Sequence, residues 1–194
     1  MAGTETRDAI VEVADRLFYE GGYDATSFAD IAAAVGISRG NFYYYFKTKD
    51  EILAAVIDRR LATRRALLDQ WEAEGRDPAE RIRRFIDILT VNRTKIMRFG
   101  CPVGTLCDEL AKLDHAARPE AGRIFTLFRD WLRRQFEALG RTDDADELAM
   151  HLLMRSQGVA TMANAFRDEA FLRQEVARMY DWLAAQGAES HPAE

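Results

Sequence analysis

Residues 26–53 of this 194-residue chain, TSFADIAAAVGISRGNFYYYFKTKDEIL, constrain its fold more than any other segment. Apolar residues recur at helical spacing as far as Val35, Gly36 interrupts them, and a second short apolar pattern follows. Ser27 and Ser38 stand directly before the two patterns, where helix N-caps are expected. The segment therefore predicts two short helices joined by a tight turn, followed by the start of a third helix.

The remainder of the chain also has helical periodicity. A Thr48/Glu51 capping box starts a long helix, and Asp77 followed by Pro78 starts another that extends to about residue 99. No alternating strand pattern and no repeat of fixed period is present. The predicted fold class is all-α, with an N-terminal three-helix unit over residues 1–47 and a larger helical domain over residues 48–194.

Composition and charge limit the possible functions. The formal net charge of −5 argues against a non-specific coat for nucleic acid, yet residues 36–49 contain three basic residues and no acidic one. No apolar run is long enough for a membrane span, and the N-terminus lacks a secretory signal. Two cysteines do not form a disulfide framework. We therefore expect a cytoplasmic protein with no membrane association and a small positive tip on an acidic body.

The second short helix separates its residues into a buried and an outward face. A helical wheel places Phe42 and Phe46 on one side and Tyr44 on the opposite side, flanked by Gly40 and Asn41. Such a helix can bury one face and present the other to the major groove of DNA, as a helix-turn-helix requires. The alternative is a small helical bundle whose tyrosines are ordinary surface residues.

The outward residues have the chemistry of DNA contacts. Arg39 can bind guanine, Asn41 can pair with adenine or a phosphate, and Gly40 allows the backbone to approach base edges. Tyrosine hydroxyl groups suit phosphates. Lys49, in the first turn of the next helix, predicts a phosphate contact. The same holds at the N-terminus of the first short helix, for Thr26 and Ser27.

The run GISRGNFYYYFKTKDEIL resembles the N-terminal signature of the tetracycline-repressor (TetR) family of transcriptional regulators, and the resemblance covers about residues 8–55. Tyr45 stands where histidine is most usual. The resemblance implies an all-helical homodimer of about nine helices, with a ligand-binding C-terminal domain. It also implies a palindromic double-stranded DNA operator that is released when a small-molecule effector spreads the reading heads. Carried over to matching positions, DNA contacts fall on Thr26, Ser38, Arg39, Gly40, Asn41, Tyr43, Tyr44 and Lys49.

The C-terminal half is rich in aromatic residues and methionine, which suits a pocket for an apolar or aromatic effector. The alternative is that these residues are plain core. The segment GCPVGTLCDEL (residues 100–110) resembles segments of drug-efflux and small-acid regulators within the family. The candidate pocket residues are Phe85, Ile88, Leu89, Asn92, Cys101, Val103, Leu106, Cys107, Phe125, Phe128, Trp131, Met154 and Gln157.

Cys101 and Cys107 leave two further hypotheses open. A cysteine near a helix N-terminus has a lowered pKa and could sense oxidants or electrophiles, although most cysteines are small buried hydrophobic residues. The spacing of Cys101, Cys107 and His115 matches no common zinc pattern, so no metal is predicted. No cofactor is predicted either, and the absence of nucleophile, phosphate-loop or HExxH motifs argues against an enzyme. Control by a protein partner is a further alternative.

Small residues make the helix over 144–166 slim on one side. Together with apolar positions of the last helix, they predict a two-fold four-helix interface in the homodimer. An intramolecular contact is the alternative. The predicted interface residues are Ser156, Gly158, Ala160, Ala163, Leu172, Val176, Met179 and Leu183.

Overall fold

The computed structural model of the chain describes residues 2–188 and contains ten α-helices in that range, with no β-strand among them. The all-α prediction is thus confirmed. None of the helices in this range is long and apolar enough to cross a bilayer. The helices are α1 (Ala2–Gly21), α2 (Phe28–Val35), α3 (Arg39–Tyr45), α4 (Lys49–Glu74), α5 (Pro78–Val91), α6 (Arg93–Phe99), α7 (Pro102–Lys112), α8 (Arg118–Ala138), α9 (Ala145–Phe166) and α10 (Glu169–Ala188).

The structure has one helix more than the sequence predicts, because the helix expected over residues 78–99 is divided at Asn92. Asn92 has φ −100° and ψ 11°, outside helical geometry, and its side-chain amide donates to the Ile88 carbonyl at 3.0 Å. A side chain that satisfies a terminal carbonyl in this way ends a helix. The apolar pattern continues through the break and conceals it from sequence analysis.

The helices form two compact units. The first comprises the residues up to 64 together with 102–124, and the second comprises 65–101 with the residues from 125 onward. Helices α4 and α8 contribute residues to both. The predicted domain boundary after residue 47 stays a prediction, because compact units and sequence domains are different divisions of the chain.

The first unit is built around the apolar faces of α1, α2, α4 and α7. Its fully buried residues include Ile10, Ile31, Leu53 and Leu110. It also contains a buried guanidinium: Arg60 of α4 donates to the Asp15 carboxylate of α1 at 2.7 Å and to the Pro102 carbonyl of α7 at 2.6 Å. A buried charge is tolerated only when it is paired and hydrogen-bonded, so this contact ties α1, α4 and α7 together.

The second unit packs α10 against α5 and α9, and α6 against α9. Trp131 of α8 is buried beside Trp71, with 5.7 Å between the ring centroids. The Tyr180 hydroxyl of α10 donates to the Asp87 carboxylate of α5. Burial and this hydrogen bond raise the pKa of Tyr180 from 10.0 to about 12.

Candidate nucleic-acid interface

The turn between α2 and α3 is defined by local caps. Ser27 is the predicted N-cap of α2 and forms a capping box with Asp30: the Ser27 hydroxyl accepts the Asp30 N–H at 3.2 Å, and the Asp30 carboxylate accepts the Ser27 N–H at 2.8 Å. Hydrogen bonds from the side chain and backbone of Ser27 lower the pKa of Asp30. Gly36 ends α2 with φ +78°, a conformation that favours glycine. Ser38 then caps α3 by accepting the Asn41 N–H at 3.3 Å.

The orientation of α3 is set by its aromatic residues. Phe42 and Phe46 are 1% and 2% exposed, in agreement with the helical wheel. The Phe28 ring of α2 lies edge-on to Phe42 and to Tyr43, with centroid distances of 5.2 and 5.5 Å. The Arg7 guanidinium lies over the Phe46 ring at 4.9 Å. Because one face of α3 is held in this way, the opposite face points outward.

The outward face consists of residues with short or polar side chains. Tyr44 is 76% exposed, and Arg39, Gly40 and Asn41 are exposed as well. A Cβ added to Gly40 would meet nothing within 4 Å, so this position is open in the isolated protein. The predicted contacts Ser27, Ser38 and Tyr43 are also exposed. The structure therefore brings seven of the nine predicted DNA-contact residues to the surface at α2 and α3.

Thr26 differs from the prediction. It is only 6% exposed, and its hydroxyl donates to the Gly22 carbonyl at 2.7 Å. The side chain is thus occupied in closing the loop between α1 and α2 and is not presented to a ligand. The sequence pattern does not reveal this, because a threonine next to an N-cap serine looks equally suited to bind a phosphate.

Lys49 is the second departure from the predicted contacts. Its ammonium donates to the carbonyls of Tyr23, Asp24 and Thr26 at 3.0, 3.1 and 3.3 Å, and lies 4.4 Å from the centre of the Tyr23 ring. An ammonium has three N–H donors, and these carbonyls match them in number. The geometry favours a role in holding the α1–α2 loop, in place of the predicted phosphate contact.

Lys47 is a residue that the predicted set omits. It is exposed, its ammonium donates to the Tyr43 carbonyl at the end of α3, and its N–H donates to the Glu51 carboxylate at 2.7 Å. A cation beside the last carbonyls of a helix is favourable. Lys47 therefore adds positive charge to the surface of the reading head, which comprises α2, α3 and the turn between them. The signal that could have identified Lys47 is the composition of residues 36–49, which include basic residues and no acidic one.

A surface groove of about 280 Å³ lies between α2 and α3. Its walls combine a hydroxyl group, a guanidinium and aromatic rings, which are groups that bind sugar–phosphate backbone and base edges. The groove contains three of the predicted DNA-contact residues, Ser27, Arg39 and Tyr43. It is lined by Ser27, Phe28, Ala29, Ala32, Arg39, Phe42 and Tyr43.

The residues predicted to bind an effector are divided between the two units. Val103, Leu106 and Cys107 lie on α7 in the first unit, with Val103 and Leu106 buried in its core. In the second unit, Phe85, Leu89, Phe128 and Trp131 are buried, and Ile88, Cys101, Phe125 and Gln157 are half-buried.

Two of the predicted pocket residues lie on the surface instead. Asn92 is exposed and ends α5, so its amide is already used by the Ile88 carbonyl. Met154 is 61% exposed on α9. We therefore remove Asn92 and Met154 from the candidate pocket.

The predicted dimer-interface residues are mostly internal. Seven of the eight, all except Gly158, are buried within a single copy of the chain, where α9 and α10 pack together and against other helices of the second unit. Their burial favours the intramolecular alternative. Apolar and small residues at helical spacing suit either kind of packing, so only the tertiary contacts separate the two.

A different face of α9 carries exposed apolar side chains at intervals of four or eight residues. Met150, Met154, Met162 and Phe166 are 42%, 61%, 40% and 71% exposed, and Gly158 lies between them. We call these five residues the α9 stripe. Exposed apolar side chains along one helix face are a candidate surface for association.

Metal binding finds no support in the part of the chain that the structure describes. Within it, no three His, Cys, Asp or Glu residues are grouped so that they could hold a metal ion.

Comparison with known proteins identifies the family. Residues 10–56 match the model for bacterial regulatory proteins of the tetR family, and residues 78–178 match the C-terminal domain of LmrA/YxaF-like transcriptional regulators. The second match covers the GCPVGTL segment, whose proposed link to drug-efflux and small-acid regulators stays a prediction.

Individual relatives agree with the family match. An uncharacterised HTH-type transcriptional regulator from Lactococcus lactis is 31% identical over 136 residues, which are 69% of each chain. The regulator TtgR of Pseudomonas putida is 37% identical over 83 residues, 42% of this chain and 40% of that protein. A TetR transcriptional regulator from Legionella pneumophila has the same fold, with a TM-score of 0.80 and 27% identity over 90% of this chain and 94% of that one. The chain is a member of the TetR family of DNA-binding transcriptional regulators.

Proposed function

We propose that this protein is a repressor that binds an inverted-repeat DNA operator as a homodimer and leaves it when a small apolar or aromatic effector binds. The observation that carries the proposal is the outward face of α3. Gly40, Asn41 and Tyr44 are exposed on a short helix whose other face is locked by Phe42 and Phe46. Such a helix presents hydrogen-bonding groups to the major groove at close range.

Local charge supports binding to DNA by an otherwise acidic protein. Residues 36–49 contain Arg39, Lys47 and Lys49 and no acidic residue, whereas the whole chain has a net charge of −5. Phosphates would therefore be attracted to this tip and repelled elsewhere, which orients the protein on the duplex. Among the basic residues, we assign the phosphate contacts to Arg39 and Lys47 and a structural role to Lys49.

We assign the dimer interface to the α9 stripe. Its methionines and Phe166 are exposed in a single copy, and Gly158 leaves room for close approach of a second helix. Ala170, Ala177 and Ala184 are likewise exposed on α10, seven residues apart. A two-fold axis that pairs α9 and α10 with their copies would bury both rows in a four-helix arrangement.

The second unit supplies a candidate anchor for the effector. Trp131 is buried, and its indole N–H finds no acceptor among the described residues. Phe128 packs on Phe85 in the same unit, with 5.6 Å between ring centroids. A buried donor without an acceptor is costly, so an effector with an aromatic body and one acceptor atom fits these residues best.

Selection from random duplexes with the purified full-length protein tests the proposal. Enriched sequences are then checked by mobility shift at about 0.15 M salt. The proposal expects an inverted repeat whose half-sites are one turn of DNA apart, bound by a dimer. A folded dimer that enriches no duplex would contradict it. The selected operator also allows effectors to be screened by release of the protein.

A further inference from the structure

The loop between α1 and α2, residues 22–27, is held by groups of opposite charge. The Glu109 carboxylate of α7 accepts the N–H groups of Tyr23 and Asp24, each at 2.8 Å and each on a different oxygen. The carbonyls of the same two residues accept hydrogen bonds from Lys49 of α4. The N–H groups of the loop thus bind an anion and its carbonyls bind a cation, which fixes the backbone by charge-assisted hydrogen bonds.

Gly22 allows the Glu109 carboxylate to come this close. Its φ of +93° is disfavoured for other residues, and a Cβ at this position would lie 3.1 Å from Glu109 Oε1. The positive φ and the close approach of the carboxylate therefore both favour glycine at the position where Glu109 meets the loop.

The Tyr23 side chain makes a second connection at the same place. It is buried, and its hydroxyl donates to Asp50 of α4 at 2.6 Å and lies 3.2 Å from His115 Nε2. The Ala117 N–H donates to His115 Nδ1, so Nε2 carries the ring proton and donates to the Tyr23 oxygen. Burial, followed by the hydrogen bond to Asp50, raises the pKa of Tyr23. The hydroxyl is therefore kept protonated and remains the donor to Asp50.

The loop leads directly into the reading head. Residue 27 is the N-cap of α2, and Phe28 is the first residue of that helix. Phe28 packs on Phe42 and Tyr43 of α3. A displacement of the loop would therefore move the N-terminus of α2 and, through the aromatic contacts, the helix that carries Gly40, Asn41 and Tyr44.

We propose that Glu109 is a positioning residue for operator recognition, acting from α7 on the α1–α2 loop and through that loop on α2 and α3. The inference rests on the proposed function, since it assumes that α3 reads the operator. Glu109 lies outside the helix-turn-helix and carries a negative charge, so it has no part in holding phosphates. Its influence on DNA affinity is geometric.

The test compares Glu109→Gln with the wild type and with Glu120→Gln, all as full-length protein. Glu120 is an exposed residue of the same unit that pairs with Arg123 and serves as the matched control. Hydrogen–deuterium exchange in the absence of DNA reports on the amides of residues 22–27. Affinity for the selected operator, measured over a range of salt concentrations, reports on recognition.

We expect Glu109→Gln to exchange the amides of Tyr23 and Asp24 faster, while α9 and α10 exchange as in the wild type. Operator affinity should fall roughly tenfold, the order expected for loss of one charge-assisted hydrogen bond. The salt dependence of binding should keep its slope, because no phosphate contact is lost. Glu120→Gln should leave the amide exchange, the operator affinity and the salt slope unchanged.

Three results would overturn the inference. Unchanged amide exchange would mean that Glu109 does not hold the loop. Faster exchange with unchanged affinity would mean that the loop does not position α3. A changed salt slope would mean that Glu109 acts through its charge on the DNA itself.

Two further arms keep the test decisive. If Glu109→Gln does not fold, Glu109→Asp takes its place, because it retains the charge on a shorter side chain. Its amide exchange and operator affinity should lie between those of the wild type and those expected for Glu109→Gln. Wild-type exchange and affinity for Glu109→Asp would contradict the inference. If the wild type itself enriches no duplex, the proposed function fails, and the role of Glu109 in recognition fails with it even where the loop loosens. The inference fails alone when the wild type binds the selected operator but Glu109→Gln gives one of the three overturning results.

Discussion

The ring of Phe28 in α2 meets the ring of Phe42 in α3 edge-on, with 5.2 Å between centroids and 61° between planes. This contact joins the two helices of the helix-turn-helix. Because Phe42 is fully buried, we expect Phe42→Ala to lower the free energy of unfolding by about 3–5 kcal/mol. Urea denaturation followed by circular dichroism measures the loss. Tyr44→Ala, at an exposed position, should stay within about 0.5 kcal/mol of the wild type, and equal losses for the two variants would contradict the assigned orientation of α3.

Substitution of Gly40 should have opposite effects on the stability of the protein and on its affinity for DNA. A Cβ at this position meets open space in the isolated protein, so Gly40→Ala should raise stability by up to about 1 kcal/mol through helix propensity. Operator affinity should fall nonetheless, because the added methyl group occupies the space through which the backbone approaches the bases. Thermal unfolding and mobility shift measure the two effects.

Gly122→Ala is the matched control for this experiment, since Gly122 is a helical glycine of α8 whose added Cβ also meets open space. It should share any gain in stability and retain full affinity. Unchanged operator binding by Gly40→Ala would show that α3 does not approach DNA at this residue.

The two lysines that follow α3 should differ in their effect on salt dependence. Lys47 is exposed, whereas Lys49 is engaged by three backbone carbonyls. We expect Lys47→Ala to reduce the slope of log affinity against log salt by roughly one counterion per reading head. Lys49→Ala should lower stability and affinity and leave the slope unchanged. If Lys49→Ala changed the slope more than Lys47→Ala, the result would support the phosphate contact that the sequence predicts for Lys49.

The α9 stripe predicts the effect of a charge on oligomeric state. Met154 is the most exposed methionine of the stripe, at 61%, and Met154→Glu would bury a carboxylate against its own copy in the proposed dimer. We expect Met154→Glu to sediment as a folded monomer in sedimentation velocity. Leu113→Glu, at an exposed apolar residue of the first unit, is the control and should remain dimeric. If Met154→Glu sediments with the wild type, the interface lies elsewhere.

Tyr180 predicts a loss of stability in alkali. Burial, and then the hydrogen bond to Asp87, raise its pKa from 10.0 to about 12. Because the pKa is higher in the folded protein than in the unfolded chain, this contribution is complete below pH 10 and is lost between pH 10 and about 12. Unfolding by urea across this range should show the decline in the wild type, and Tyr180→Phe should lack that part of it. Identical alkaline profiles for the wild type and Tyr180→Phe would contradict the assignment of this decline to Tyr180.

Sequence analysis succeeded where the signal is local. The predicted helix starts at Ser27 and Asp77 are both N-caps whose side chains accept a hydrogen bond from the backbone N–H three residues later. The burial of Phe42 follows from helical periodicity within one short helix. These features depend on atoms within one turn of helix, so the order of residues is sufficient to predict them.

Sequence analysis failed where a residue has more than one possible partner. Lys49 is basic and next to a helix N-terminus, which suits a phosphate, yet it binds carbonyls more than twenty residues earlier in the chain. Ser156 and Leu172 have the periodicity of an interface and of a core alike. Periodicity identifies an apolar face and does not identify the element that covers it.

The sequence by itself determined the helical fold, the caps that delimit α2 and α3, and the family to which the chain belongs, because these depend on short-range spacing and on a contiguous motif. Only the tertiary structure decided that Glu109 and Lys49 hold the α1–α2 loop and that the α9 stripe is exposed. Those outcomes depend on contacts between residues far apart in the chain, and packing selects among several partners that the sequence pattern allows equally.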